Sequence, residues 1–388
     1  MPLHLIPAKT NFDFLGKRIP ALVLSTIINV LSLVAVFVVG LNFGIDFKGG
    51  VAVEVKAKQG AADLAELRHV LDGLGLGEVT LQEFGSGGEV LVRVQRQEGG
   101  PECVAIAARL LSKSLGPEFK LAAASQGAGL ALTLPRGIDD GTRKRISDAT
   151  GLSEAQLPRT GSGVQRIDIS ADQRAEWCQQ VAILAVKDAL ADKYDFRRTE
   201  SVGPKVGSEL LQTGIIAMLA TLLAIAAYVW FRFEWQFGVG ALIALLHDVV
   251  STVGVFVLFQ LDFSLTALAA LLTIAGYSIN DTVVVFDRVR ENLRRYKRLA
   301  LVDILNVSIN ETLSRTIMTS STVFVACVAL ALFGGPVLHS FAIGMLWGVI
   351  VGTYSSIWIA CAGLVYMNLR PERMRGEDKP AKTEVAGR

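Results

Sequence analysis

The sequence predicts an α-helical polytopic membrane protein with six transmembrane helices and one folded α+β domain outside the cytoplasm. Apolar residues make up 51% of the 388-residue chain, and charged residues only 19%. Ordinary soluble proteins carry about 25% charged residues. The apolar residues fall in long runs of about the length that crosses a bilayer, and a large polar segment follows the first run. The net charge of +2 gives no indication of a nucleic-acid partner.

The first element is a short basic segment, residues 1–18, followed by an apolar run at 19–41. This run is long enough for a transmembrane helix and too long for the core of a signal peptide. No small-residue cleavage site follows it. We therefore expect a retained helix, with a cleaved signal peptide as the alternative.

The polar segment, residues 42–209, opens with Gly49 and Gly50, which permit a sharp turn. Alternating apolar residues then predict four strands, and two amphipathic runs predict helices. The order of the six elements is β-α-β-β-α-β, which is that of a ferredoxin-like domain. Residues 98–170 interrupt this order and are expected to be an insertion, with a helix at 102–115 and a weak strand at LALTLP.

Five further apolar runs follow the polar segment. They predict helices at 210–231, 238–259, 263–286, 316–333 and 337–367, with a polar loop at 287–315 and a disordered tail at 368–388. Short segments rich in Lys and Arg mark the cytoplasmic side of a membrane protein. With six helices, the basic N-terminus, loop and tail share one side, so we expect both termini in the cytoplasm and residues 42–209 in the periplasm.

Asp248 lies near the middle of the third predicted helix. An acid inside hydrocarbon costs about 2.5–3.5 kcal/mol on insertion scales, and such residues usually serve ion pathways. Asp248 is therefore a candidate for carrying a proton across the membrane. Adjacent helical positions point about 100° apart, so we expect the neighbouring His247 to pack rather than to relay protons.

The fourth helix carries a second polar group, with Asn280 and Asp281 in its apolar run. Thr273, Tyr277 and Asp281 recur at i, i+4 and i+8 and so share one face, which must look at other helices or at water. Arg288 comes seven residues after Asp281, on nearly the same side. It either reaches toward an acid or anchors the helix at the interface.

Three glycines in the sixth helix, Gly344, Gly348 and Gly352, recur every four residues. Such a ridge lets another helix approach closely, so we interpret these residues as helix packing.

Motifs for enzymatic chemistry are missing. The chain has no GxxxxGK[ST], HExxH or CxxC pattern, and LHDVV and INDTV do not resemble the motifs of intramembrane aspartyl proteases. We expect no enzyme activity, no metal and no cofactor other than protons. Cys103 and Cys178 could form a disulfide if the polar segment lies outside the cytoplasm, but their spacing carries no signature.

The order of motifs resembles SecF, the smaller membrane subunit of the bacterial SecD–SecF family. The matching stretches are GIDFKGG, VGPKVGSEL, ALIALLHDVV, GYSINDTVVVFDRVREN, TLSRTIMTSSTVF and LFGGP, followed by the glycine ridge. The resemblance places the family's intramembrane acid on Asp248 and its polar stripe on Asn280, Asp281 and Arg288. The polar segment is longer than we expect for this family.

This resemblance implies a function in protein export. The family works with SecD and the SecYEG channel, and uses the proton motive force to complete preprotein translocation after the SecA stage. YajC and YidC are possible further partners, and SecD would be a separate chain. The alternatives are a related proton-coupled exporter of small molecules and a passive scaffold of the translocase.

Overall fold

The fold is described from a computed structural model of the chain. It covers residues 10–84, 88–95, 97, 100–124, 129–135, 138–158, 163–367 and 369. The chain divides into two compact units, which we call the polar unit, Phe43–Gly214, and the membrane unit, Met1–Asn42 with Ile215–Arg388. The predicted disordered tail lies outside the described residues from 370 onward.

The polar unit contains the predicted β-α-β-β-α-β order, which is confirmed. Its four strands are β1 (Gly50–Ala57), β2 (Val79–Phe84), β3 (Glu89–Gln95) and β7 (Tyr194–Val202), and its two helices are α3 (Leu64–Asp72) and α6 (Ala171–Leu190). The strands form one antiparallel sheet in the order β2-β3-β1-β7. Alternate valines of β1 and β3, such as Val53 and Val92, are fully buried, as the period of two predicts.

The two predicted helices begin at side-chain caps. The Asp63 carboxylate accepts hydrogen bonds from the backbone N–H groups of Ala65 and Glu66 at the start of α3. At the start of α6, Ser170 and Gln173 form a reciprocal capping box. These caps satisfy N–H groups that have no partner within the helix.

The paired glycines make a close backbone contact. A four-residue helix, α2 (Ile45–Lys48), ends at Gly49, and φ is 75° at Gly49 and 128° at Gly50. Both values lie in a region that side chains disfavour. A Cβ atom on Gly207 would lie 2.9 Å from the carbonyl oxygen of Phe47. Glycines on both segments therefore let the two backbones meet.

The predicted insertion is a folded part of the same unit. It comprises α4 (Pro101–Leu115), β4 (Lys120–Ala123), β5 (Leu130–Leu134), α5 (Asp140–Thr150) and β6 (Gly163–Ile167). Its strands form a second antiparallel sheet in the order β4-β5-β6. Residues of both sheets share one hydrophobic cluster. The sequence predicts α4 and β5 but not α5, because that short helix is almost wholly polar and buries only Ile146 and Thr150.

A disulfide connects the insertion to the rest of the polar unit. It joins Cys103 on α4 to Cys178 on α6, with the Cα atoms 5.5 Å apart, and both residues are buried. The sequence left this pairing open, because the two residues are separated by 75 positions and only the fold brings their helices together.

The prediction of six membrane-spanning helices is confirmed by length and composition. The described residues contain spans at Leu15–Val38, Val206–Arg232, Trp235–Leu258, Leu265–Arg295, Leu301–Phe333 and Gly335–Tyr366. They correspond to the helices α1 (Arg18–Val38), α7 (Pro204–Arg232), α8 (Trp235–Leu258), α9 (Leu265–Arg295) and α10 (Leu301–Phe333), followed by α11 (Gly335–Ser355), a π-helical turn (Ser356–Ala360) and α12 (Cys361–Tyr366).

The predicted loop at 287–315 is wrong, because most of it is helical. Helix α9 continues to Arg295 and α10 begins at Leu301, so only 296–300 connects them. In the added turns of α9, Val289, Asn292 and Leu293 are buried while the other side is charged. This is the pattern of an amphipathic helix, which a search for wholly apolar runs does not detect.

The centre of the membrane unit consists of α8, α9 and α11. Their most apolar stretches are 61%, 50% and 67% buried, against 17%, 11% and 17% for α1, α7 and α10. The glycine ridge lies on the central side of α11. Added Cβ atoms would meet Phe256 of α8 at Gly344, Ile274 of α9 at Gly348, and Ser278 of α9 at Gly352.

We expect Gly348→Ala to destabilise the membrane unit by about 1–3 kcal/mol, because overpacking a core has this cost. The new methyl group would lie 2.4 Å from two carbons of the buried Ile274, whose branched side chain has little freedom to move. Gly276→Ala is the matched control, because an added Cβ meets nothing within 4 Å there. Thermal unfolding of the full chain in detergent measures both. Equal midpoints for the two variants would contradict the packing role.

Candidate functional site

Among the described residues of the membrane unit, Asp248 is the most deeply buried acid, and it is the centre of a polar cluster. Its side chain is 0% exposed. The Ser278 hydroxyl of α9 donates to Asp248 Oδ2 at 2.5 Å, and the Ser355 hydroxyl of α11 donates to the same oxygen at 2.7 Å. The carboxyl group therefore connects all three central helices. We call Asp248, His247, Ser278 and Ser355 the Asp248 cluster.

His247 belongs to this cluster, contrary to the sequence-based expectation that it only packs. Its Nδ1 lies 2.9 Å from Asp248 Oδ1. The Cα–Cβ bonds of His247 and Asp248 point in different directions, but the histidine side chain is long enough for its ring to reach back to the Asp248 carboxyl group. The other ring nitrogen, Nε2, is buried and has no hydrogen-bond partner among the described residues.

The geometry at Oδ1 permits two protonation arrangements. With the carboxyl group ionised, a protonated His247 Nδ1 donates to Asp248 Oδ1. With the carboxyl group protonated, its O–H donates to an unprotonated Nδ1. The 2.9 Å separation suits both arrangements. At Oδ2, the two serine hydroxyls can donate in either state, so protonation requires no rearrangement of the backbone.

Ser355 is the last residue of α11 and directly precedes the π-helical turn Ser356–Ala360. Single π-helical turns within α-helices are frequent at functional sites. Ser356 hydrogen-bonds to Thr282 of α9 at 2.9 Å. Two successive serines at the turn therefore bond to the two other central helices, Ser355 to α8 and Ser356 to α9. Neither serine was singled out in the sequence, because hydroxyls are common in membrane helices and their partners lie about 75 or more residues away.

A second polar group lies on the face of α9 that meets α10. Tyr277 donates to the Ser320 hydroxyl at 3.0 Å, and Ser320 bonds to Thr353 of α11 at 2.7 Å. Asp281, one turn further along α9, is 3% exposed, and its Oδ2 has no hydrogen-bond partner among the described residues. Arg315 of α10 is a cation close enough to Asp281 to attract its carboxylate, without an ion pair between the two.

Arg315 is a functional candidate that the sequence does not single out. The sequence places it at the end of the predicted polar loop, whereas it lies within α10. The signal for it is an arginine followed directly by the apolar, hydroxyl-rich run TIMTSS, in the same membrane unit as an acid.

The structure does not bring Arg288 and Asn280 to either acid. Arg288 Nη1 donates to Glu291 at 2.6 Å, and its Nε donates to Glu311 of α10 at 2.7 Å. Asn292 also donates to Glu311, at 2.7 Å, so Arg288 is part of a contact between α9 and α10 near the end of the membrane span. Asn280 is exposed on the outside of the unit.

The described residues contain no group of three or more His, Cys, Asp or Glu side chains that could hold a metal ion. The Asp248 cluster instead offers one carboxyl group, one imidazole and two hydroxyls in a buried setting. This combination is suited to holding or passing a proton.

Comparisons with known proteins agree with the motifs. The family model described as "Protein export membrane protein SecD/SecF, C-terminal" matches residues 183–370, and the model "SecD/SecF GG Motif" matches residues 34–61. The first match contains the Asp248 cluster as well as Asp281 and Arg315. The second contains Gly49 and Gly50.

Similar proteins of known name are translocase subunits. "Protein translocase subunit SecF" of Rickettsia rickettsii (strain Sheila Smith) is 37% identical over 359 residues, which are 92% of each chain. The same subunit of Cereibacter sphaeroides is 38% identical over 367 residues, 95% of this chain and 93% of the relative. Each alignment covers nearly the same fraction of this chain and of the relative, so the proteins are of similar length. The polar segment is therefore not unusually long beside these relatives, contrary to the expectation from the sequence.

Solved structures of SecDF have a similar fold. The crystal structure of SecDF from Thermus thermophilus, a translocon-associated membrane protein, is 30% identical and has a TM-score of 0.63. The structural alignment covers 94% of this chain and 40% of that SecDF chain. A SecDF structure in a super-membrane-facing form is 28% identical with a TM-score of 0.51.

Proposed function

The chain belongs to the SecF family of protein translocase subunits, and from this premise we propose that it couples the proton motive force to protein export together with SecD. In this proposal it completes preprotein translocation after the SecA and SecYEG stage, and it is a transport subunit without catalytic activity. The observation that carries the proposal is the fully buried carboxyl group of Asp248, held by hydroxyls of two other helices.

Protonation of Asp248 would change how the three central helices are held together. Hydrogen bonds to an ionised group are roughly twice as strong as those between neutral groups. The bonds from Ser278 and Ser355 therefore weaken when Asp248 takes up a proton. Because these bonds join α8 to α9 and α11, the preferred packing of the helices depends on the proton. Moving one charge through 100 mV supplies about 2.3 kcal/mol, enough to shift such an equilibrium.

The orientation we propose places both termini in the cytoplasm and the polar unit in the periplasm, with the chain in the bacterial inner membrane. The basic residues of the segment at 287–315 favour the cytoplasmic side for the α9–α10 connection. The disulfide between Cys103 and Cys178 supports a periplasmic polar unit, because disulfides persist in oxidising compartments and are rare in the cytosol.

The partners we propose are SecD, the SecYEG channel and the translocating preprotein, with SecA acting indirectly and YajC and YidC as possible neighbours. The SecDF name of the structural neighbour, and the 40% of its chain that this protein spans, support SecD as a separate subunit. Affinity purification of the tagged full chain from native membranes is expected to recover SecD.

A depletion experiment separates this function from its two alternatives. Loss of the chain is expected to cause unprocessed precursors of secreted proteins to accumulate, and export in membrane vesicles is expected to lose its dependence on the proton gradient. Sensitivity to small toxic compounds without precursor accumulation would instead indicate a small-molecule exporter. Export that keeps its full proton dependence without the chain would indicate a scaffold.

A further inference from the structure

A shallow groove at the end of α9 is not explained by the export function. It has a volume of about 450 Å³ and is lined by Asp287, Arg290, Glu291, Arg294 and Arg295. These residues recur at i, i+3, i+4, i+7 and i+8, so they form one charged face of the helix. The groove lies where α9 leaves its most apolar stretch, beside the short turn that joins α7 to α8.

The two acids of the groove already have cationic partners. Asp287 pairs with Arg232 of α7 at 3.3 Å and lies 3.9 Å from Arg290. Glu291 pairs with Arg288 at 2.6 Å. The surplus charge of the groove is therefore positive.

Arg290 is held in place by aromatic and ionic contacts. Its guanidinium lies 5.5 Å from the centre of the buried Phe233 ring, and the guanidinium of Arg232 lies 5.1 Å from the same ring. Arg290 Nε is buried and has no hydrogen-bond partner among the described residues. The aromatic and ionic contacts thus position the side chain before any ligand arrives.

Arg294 supplies a second cation one turn further along. It is exposed, and it makes no ion pair within the described part of the chain. Together, Arg290 and Arg294 can present guanidinium groups to one phosphate, a ligand that arginine binds in a bidentate manner.

Exposed aromatic residues beside the groove indicate where the ligand comes from. Trp230, Phe231 and Trp235 flank Arg232 and are 55%, 89% and 47% exposed. Tryptophans are typical of the membrane–water interface, where ring and headgroup lie at the same depth. These exposed aromatic residues adjoin Arg232 in sequence, and Arg232 pairs with Asp287 of the groove. Apolar surface near the cations suits a molecule with both a phosphate and acyl chains, and offers nothing to free phosphate.

We propose that this groove binds the phosphodiester headgroup of an anionic phospholipid, with Arg290 and Arg294 as its phosphate ligands. Basic pockets between membrane helices on the cytoplasmic side are known to suit such headgroups. The inference does not depend on proton coupling, so it holds or fails independently of the proposed function.

Lipid binding to the purified full chain in detergent tests this inference. Native mass spectrometry is run with phosphatidylglycerol, with phosphatidylcholine, and with phosphatidylglycerol plus excess inorganic phosphate. We expect phosphatidylglycerol to bind more tightly than phosphatidylcholine and to resist displacement by phosphate. Because each basic residue near the surface contributes about 1 kcal/mol, Arg294→Gln is expected to weaken phosphatidylglycerol binding about fivefold.

Two further variants complete the test. Arg290→Gln is expected to weaken phosphatidylglycerol binding at least as much as Arg294→Gln does. Arg294 is exposed, so the Arg294→Gln variant tests the site even where Arg290→Gln does not fold. Arg298→Gln removes a charge beyond the end of α9 and is expected to leave binding unchanged. Equal losses of phosphatidylglycerol affinity in all three variants would mean that any basic residue attracts the anionic lipid to the same extent. That result would overturn the proposed site. Full displacement by inorganic phosphate would overturn its assignment to lipid.

Discussion

Replacement of Asp248 by asparagine is expected to abolish the proton-dependent part of protein export while the chain still folds and assembles with SecD. Asparagine has nearly the same shape and keeps one oxygen to accept from Ser278 and Ser355. It cannot take up or release a proton. The helices should therefore remain packed in one arrangement, whatever the proton gradient. The measurement is export of a secreted precursor in membrane vesicles with and without a proton gradient.

The control for this variant is Asp303→Asn, which makes the same chemical change at an exposed position in the first turn of α10. It is expected to export normally. Asp248→Glu is a second variant: it keeps an ionisable group and is expected to retain part of the proton-dependent export that Asp248→Asn loses. Wild-type proton-dependent export by Asp248→Asn would rule out the proposed role of this residue.

Removal of the disulfide is expected to destabilise the polar unit by about 2–4 kcal/mol. The Cys103→Ser, Cys178→Ser double variant opens a loop across 75 positions of sequence, and cross-links over such distances contribute this much in most proteins. Urea unfolding of the full chain in detergent measures the loss. The fluorescence of Trp177 reports unfolding of the polar unit, because its indole is buried there and donates to the Thr150 carbonyl oxygen at 2.7 Å.

The matched control replaces the other two cysteines, Cys327 and Cys361, which are free and buried in the membrane unit. Their serine variants are expected to leave the Trp177 transition unchanged. A reducing agent should shift the transition of the parent chain as far as the double variant does. An unchanged midpoint in the double variant would mean that the disulfide contributes nothing to the stability of this unit.

The architecture could be predicted from the sequence because its signals are local. Six apolar runs and a strand alternation such as that of Gly50–Ala57 depend only on neighbouring residues. The helical continuation of α9 to Arg295 was missed because its apolar positions occur once per turn, among many charges. The polar helix α5 was missed for the same reason, since only Ile146 and Thr150 are buried in it.

The candidate site could be predicted only in part, because its contacts join distant segments. Asp248 and Asp281 stood out as acids in apolar runs. The partners of Asp248, at positions 278 and 355, come from two other helices, and no spacing in the sequence relates them. The spacing of Arg288 from Asp281 predicts that the two could meet, but the nearer acids Glu291 and Glu311 bind Arg288 instead.

Infrared difference spectroscopy of the purified full chain tests most directly whether Asp248 exchanges a proton. Spectra are recorded across a pH titration, and the Asp248→Asn variant identifies the band that belongs to this carboxyl group. The account predicts that the C=O band of a protonated, buried carboxyl group appears at low pH, disappears as the pH rises, and is missing from the variant. A band from Asp248 that stays constant over the whole accessible pH range, whether always present or always absent, would contradict it.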